Sequence, residues 1–217
     1  MTTDDDMGFA HVHSPKSVRA VVFDVGNVLV DWSPHYLYDK LIPNAGERAT
    51  FLADVVTPDW HFQHDAGRPF AETSAELIAI HPQNRNLIEA WGPRFLETIP
   101  RQIDGMAALV ADLAAADVPL YGITNFSGEF WPPFVKREAA LFASFRDIIV
   151  SGDEKLTKPD PAIYQLALTR FGLSDGEGLF VDDRLENVEA AEANGFAVHH
   201  FIDAPTLRAD LEARGLL

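Results

Sequence analysis

The stretch AVVFDVGNVLVDW, Ala20–Trp32, opens with four apolar residues, meets an acid at Asp24 and reaches Gly26 and Asn27 one residue later. An apolar run of this length and β-branched content reads as a buried strand, and the glycine and asparagine behind it as the turn that ends it. Hydrophobicity is nearly continuous rather than alternating, the habit of a strand covered on both faces in a parallel sheet. The run extends over 18–25, and others of the same kind follow at 118–125, 145–152, 177–183 and 196–201. Between them, 104–117, 160–172 and 186–195 place apolar residues at helical spacing, the last two closing at Gly172 and Gly195. This alternation predicts an α/β fold with a doubly wound parallel sheet, finished by an amphipathic helix over 204–217.

One interval breaks the rhythm. Between Asp31 and Pro100 no buried strand is visible, only helical patches around 35–41, 45–55, 70–80 and 84–97, separated by Pro43, Pro58, Gly67 and Pro82. The expected organisation is a core of 18–31 and 101–217, an inserted α-helical cap over 32–100, and a flexible tail over 1–17.

Composition narrows the function classes. The 217 residues contain no cysteine, which excludes disulfides, thiolate catalysis and thiolate metal sites. With 33 acidic against 17 basic residues the formal charge is −16, which argues against nucleic acid or an anionic membrane as partner. No apolar run approaches the roughly 18 residues of a membrane span, and the acidic start is unlike a signal peptide. The expectation is a cytoplasmic protein, monomer or homodimer, acting on a small molecule.

In open parallel sheets ligands sit beyond the carboxyl ends of the strands. Those ends carry Asp24, then Thr124 with Asn125, then the loop of Lys158, then Asp182 with Asp183. Taken singly, each has an ordinary role as a turn residue, helix cap or surface lysine. Together they supply what phosphoryl transfer to a carboxylate needs: a nucleophile, a hydroxyl and amides for phosphate oxygens, a balancing cation, and acids for Mg²⁺.

The segments VVFDVGN, GITN, KPDPAIY and LFVDDRLENVEAA, in this order, resemble the four motifs of the haloacid dehalogenase superfamily, with the cap inserted after the first motif as in subfamily I. The resemblance implies Asp24 as nucleophile, Thr124 and Asn125 as phosphate ligands and Lys158 as the charge-balancing lysine. It implies Mg²⁺ on Asp24, the carbonyl of Gly26 and Asp183, with Asp182 in support. Receiver domains share these residue types, but there the paired acids follow the first strand and the lysine comes last.

Phosphatases of the superfamily usually carry a second Asp two residues after the first, to protonate the leaving oxygen and activate water; here Gly26 stands in that place. Dehalogenases also lack it, but they need no metal and their fourth motif is usually not an acid pair. The pair Asp182-Asp183 therefore favours an Mg²⁺-dependent phosphatase forming an aspartyl-phosphate, with a metal-independent 2-haloacid dehalogenase and a non-catalytic phosphate- or metal-binding regulator as alternatives. The first motif also resembles bacterial glucose-1-phosphate phosphatases, which suggests a sugar phosphate such as a hexose 1-phosphate, whose anomeric oxygen leaves easily. Alternatively, the cap supplies the acid. Its stretch DWHFQHDAGRPF (59–70) reads as a polar loop holding His61, His64, Asp65 and Arg68. His64 or Asp65 is the candidate proton relay, and Arg68 a candidate contact to a sugar hydroxyl or second anion. His199 and His200, and the aromatics Phe130, Trp131 and Phe134, read as packing residues.

Overall fold

The computed structural model describes residues 17–217, so the tail expected over 1–17 lies outside the described residues apart from Ser17. Among the described residues seven strands form in chain order: β1 (Ala20–Phe23), β2 (Val30–Asp31), β3 (Arg101–Gln102), β4 (Leu120–Thr124), β5 (Phe145–Val150), β6 (Gly178–Asp182) and β7 (Ala197–His200). Five of them make one parallel sheet in the order β5-β4-β1-β6-β7. The first strand is central, paired with β4 on one side and β6 on the other, so three strand ends meet where Asp24 begins.

Successive side chains of a strand point to opposite faces, and the core divides accordingly. Val21 and Phe23 pack with Met106, Leu109 and Leu113 of the helix Met106–Ala115 and with Leu207 and Leu211 of the helix Ala204–Ala213. Ala20 and Val22 pack on the opposite face with Ile163, Tyr164 and Ala167 of the helix Pro161–Phe171. That helix starts where the Asp160 side chain accepts from the Ala162 amide with Pro161 in its first turn, and stops at Gly172, whose φ of 65° suits a residue without a Cβ.

The remaining strands, β2 and β3, pair antiparallel with Val30 opposite Gln102 and Asp31 opposite Arg101. They frame the helical insertion, and at two residues each they are too short for a hydrophobic pattern to reveal them. Between them lie the helices His35–Leu41, Ala45–Asp54, Pro58–Asp65, Phe70–Ile80 and Arg85–Arg94. The polar loop expected over 59–70 is therefore mostly helix. Thr57 Oγ1 accepts from the Trp60 amide at 3.1 Å and Pro58 opens the first turn rather than separating two patches. Composition hid this helix because its buried face carries Trp60 together with two polar residues, His64 and Asp65.

The insertion is seated on the sheet by aromatic packing. Phe95 stacks on Phe130 with centroids 4.5 Å apart, and Phe130 also meets Phe70 and His64. Trp131 and Phe134 pack on Phe126 and Phe142, so all three aromatics serve packing. His199 bonds Asp210 at 2.9 Å, and the exposed His200 places Nε2 3.0 Å from the Asp183 carbonyl. Among the described residues no helix is long and apolar enough to cross a membrane.

Gly67, just after the helix Pro58–Asp65, has φ 89°, and a Cβ there would lie 2.7 Å from the Gly152 carbonyl oxygen. Both the left-handed backbone and the close approach require glycine. Gly67→Ala should lower stability by about 1–3 kcal/mol, read as a reduced urea midpoint with an unchanged m-value.

Candidate active site

The end of β1 delivers Asp24 into a ring of polar groups. Its amide donates to the Val181 carbonyl at 2.8 Å, which continues the β1–β6 ladder and fixes where the side chain emerges. Asp24 Oδ1 accepts from the Val25 amide at 2.6 Å and from Lys158 Nζ at 2.8 Å. The same ammonium donates to Asp182 Oδ2 at 2.6 Å, so one buried cation bridges the acids that end β1 and β6.

Each partner of Lys158 is itself held. Asn125 accepts from the Lys158 amide at 2.8 Å and donates to the Lys158 carbonyl at 2.9 Å, pinning the lysine loop to the end of β4. Asp182 accepts from Asn187 Nδ2 at 3.0 and 3.1 Å and from the Arg184 amide at 2.9 Å. Burial pulls the ammonium's pKa down, but Asp182 and Asp24 outweigh it and leave it raised. Burial raises Asp24 to about 7, with Lys158 pulling it back and Asp182 pushing it further up.

Thr124 closes β4, buried beside Asn125. Carboxylate oxygens of Asp24, Asp182 and Asp183 lie within 4.8 Å of one another, a hard oxygen donor set of the kind Mg²⁺ takes. Both oxygens of Asp182 are already engaged, which leaves Asp24 and the half-buried Asp183 as the freer donors. A cavity of about 200 Å³ opens on them, lined on one side by Asp24, Gly26, Asn125, Lys158 and Asp183 and on the other by Trp32, His61, Phe62, Asp65 and Phe95.

A family model described as haloacid dehalogenase-like hydrolase matches residues 18–195. The chain belongs to the haloacid dehalogenase-like hydrolases. It is 32% identical over 193 residues to a phosphoglycolate phosphatase of Yersinia pseudotuberculosis, covering 83% of this chain and 79% of that one. It is 27% identical over 209 residues to a sesquiterpene phosphatase of Aspergillus oryzae, covering 92% and 96%. A HAD-like family hydrolase from Porphyromonas gingivalis has the same fold, with TM-score 0.68, 19% identity and coverage of 90% and 98%.

In this hydrolase the helix Pro58–Asp65 sorts its polar residues by face. His61 and Asp65, four apart, line the cavity, whereas His64 and Arg68 do not. His64 is buried among Trp60, Phe70 and Phe130, with Nε2 2.7 Å from Thr73 Oγ1. Arg68 turns outward to Glu76 at 2.7 Å and to Gln63. The sequence reading gave the relay to His64 or Asp65 and a substrate contact to Arg68; the structure brings only Asp65 of these three to the cavity. Read as a loop the segment has no faces to assign; as a helix ending at Asp65 it brings His61 and Asp65 to the cavity, and Arg68 lies beyond its end. Asn187 and Ser151 went unassigned in the sequence. Asn187 orients Asp182, and Ser151 Oγ donates to the Asp65 carbonyl at 2.6 Å while accepting from the Phe126 amide at 2.9 Å.

Burial pushes Asp65 up to about 8, with the Asp24 charge adding and Lys158 subtracting. Burial, with His64 adding, pushes His61 down to about 3, so the 3.5 Å approach of His61 Nε2 to Asp65 joins two neutral groups at pH 7. Between the ordinary carboxylate range and about 8, the folded chain keeps a proton on Asp65 that the unfolded chain has lost. Stability therefore falls as pH rises through that window. Asp65→Asn removes this slope. In chelator its stability should gain on wild type between pH 5 and pH 8, by up to about 1.4 kcal/mol per pH unit; a constant difference in urea unfolding would show Asp65 ionised throughout.

Proposed function

We propose that this hydrolase is an Mg²⁺-dependent phosphomonoesterase that works through an aspartyl-phosphate on Asp24. The observation that carries the reading is the Lys158 ammonium between Asp24 and Asp182, beside Asp183, at the mouth of one cavity. Three carboxylates face one cation there, so a phosphate dianion needs further positive charge before it can settle on the nucleophile. Asp24 and Asp183, with the carbonyl of Gly26, would hold Mg²⁺, which when bound neutralises part of that charge. Lys158 pulls Asp24 toward its anionic form against the effect of burial and meets a phosphate oxygen, Thr124 and Asn125 hold the transferring group, and the aromatic wall excludes bulk water.

The wall also bears on the substrate. Opposite Asp24 stand Trp32, Pro58, Phe62, Phe95 and Ile99, with His61 and Asp65 as the polar groups among them. A hexose 1-phosphate, expected from the first motif, would bring several hydroxyls to this surface, and each left unpaired costs about 1–3 kcal/mol. Phosphoglycolate would need a second cation, yet besides Lys158 the cavity offers only Arg184, which pairs with Glu186 at the surface. The fit is best for the phosphate ester of a small, uncharged, largely apolar alcohol, and one relative bears the name sesquiterpene phosphatase.

Hydrolysis of p-nitrophenyl phosphate should require Mg²⁺, stop in chelator and fall to background in Asp24→Asn. Benzyl phosphate should exceed glucose 1-phosphate and phosphoglycolate in kcat/KM by at least about tenfold, the discrimination an apolar pocket achieves. Halide release from a 2-haloacid in chelator, abolished by Asp24→Asn, would instead establish the dehalogenase.

A further inference from the structure

A phosphatase that lacks the second acid of its first motif must find a proton elsewhere. A Cβ built on Gly26 meets nothing within 4 Å, and Gly26 lines the cavity, so the place of the missing side chain is open. From the opposite wall the helix Pro58–Asp65 brings Asp65 to the same cavity. Its carbonyl is fixed by Ser151 Oγ at 2.6 Å, and His61 Nε2 stands 3.5 Å from its carboxylate. Lys158, which forms ion pairs with Asp24 and Asp182, forms none with Asp65. Two carboxyl groups thus share one cavity, Asp24 paired with the ammonium and Asp65 facing it without an ion pair.

We propose that Asp65, on the inserted helix, does the acid–base work that the first motif has given up. The assignment rests on the phosphatase reading above. In the first step Asp24 forms a bond to phosphorus as the ester P–O bond breaks; the electron pair stays on the leaving oxygen, which takes the Asp65 proton. In the second, Asp65, now a carboxylate, takes a proton from water as that water's oxygen bonds phosphorus and the Asp24–P bond breaks. Phosphate leaves, Asp24 is again a carboxylate and Asp65 is again protonated. Burial, which raises Asp65 to about 8 with Asp24 and Lys158 as the charged groups facing it, suits the resting protonated form.

The test compares an ester whose alcohol needs a proton, benzyl phosphate, with one whose phenolate leaves unaided, p-nitrophenyl phosphate. Asp65→Asn should lower kcat on benzyl phosphate by about 10²–10⁴-fold. On p-nitrophenyl phosphate it should keep a burst of about one nitrophenolate per enzyme, followed by slow turnover, because the phosphoenzyme forms but water lacks its base. Asp65→Glu should retain activity on both esters. Adding Gly26→Asp to Asp65→Asn should restore benzyl phosphate turnover at least about tenfold, since it returns a carboxyl group to the open position. Equal losses on the two esters without a burst, and no rescue by Gly26→Asp, would make Asp65 a structural tether and overturn the proposal alone. A wild-type enzyme inactive on both esters overturns the phosphatase reading and this proposal with it.

Discussion

One buried ammonium organises the site. Lys158 sits 2.8 Å from Asp24 and 2.6 Å from Asp182, and all three side chains are withdrawn from water. Each acid is tolerable at this depth only because the cation is there, and the cation only because both acids are; removing one member of such a set typically costs about 3–5 kcal/mol. The sheet order makes the arrangement possible. With β1 central and β6 beside it, Asp24 and Asp182 leave neighbouring strand ends. Lys158 arrives from a loop that Asn125 ties to the next strand on the other side. The bonds that hold these strand ends together are thus the same bonds that would position Asp24 for the proposed chemistry.

The same bridge accounts for a division between the two acids of the fourth motif. Asp182 is fully enclosed and takes donors from Lys158, Asn187 and the Arg184 amide, so its role in this arrangement is to aim the lysine. Asp183, next in sequence but half-exposed, faces the cavity. Consecutive residues leaving a strand point in opposite directions, and this simple alternation gives one acid to the interior and one to the ligand. The chain's formal charge of −16 repels an anionic substrate from nearly everywhere else, which concentrates the demand for positive charge at this point.

The strands that matter most were legible because a buried parallel strand is a block of apolar residues with a polar group at its end. Asp24, Thr124 and Asp182 could be found by reading each block to its last residue. Where physics uses fewer residues, or mixes polarity, the signal fades. The two-residue strands β2 and β3 carry no period. The helix Pro58–Asp65 buries His64 and Asp65 as well as Trp60, so it resembles a loop in composition. Read as a loop, the segment leaves His61, His64, Asp65 and Arg68 an unordered set; the helix orders the first three, and Arg68 lies beyond its end. Asn187 and Ser151 escaped notice because each acts on another side chain or on backbone, a relation that only three-dimensional neighbours define.

Gly26 changes how the insertion and the core depend on each other. When acid and nucleophile stand two residues apart on one turn, their alignment survives any movement of the layer above. With the acid at position 65, as proposed, alignment would exist only while the inserted helix is docked. Docking then rests on the Phe95–Phe130 stack, on Ser151 between the Asp65 carbonyl and the Phe126 amide, and on the close approach of Gly67 to Gly152. Two of these three contacts fall at residues 151–152, directly after β5, and the third at Phe130, in the loop that follows the phosphate-side residues Thr124 and Asn125. The seam that holds the insertion down is therefore built from the segments that follow β4 and β5. On the proposal that Asp65 is the acid, opening the insertion would withdraw the proton and admit water together, so the contacts that seat the insertion would also confine hydrolysis to the docked form.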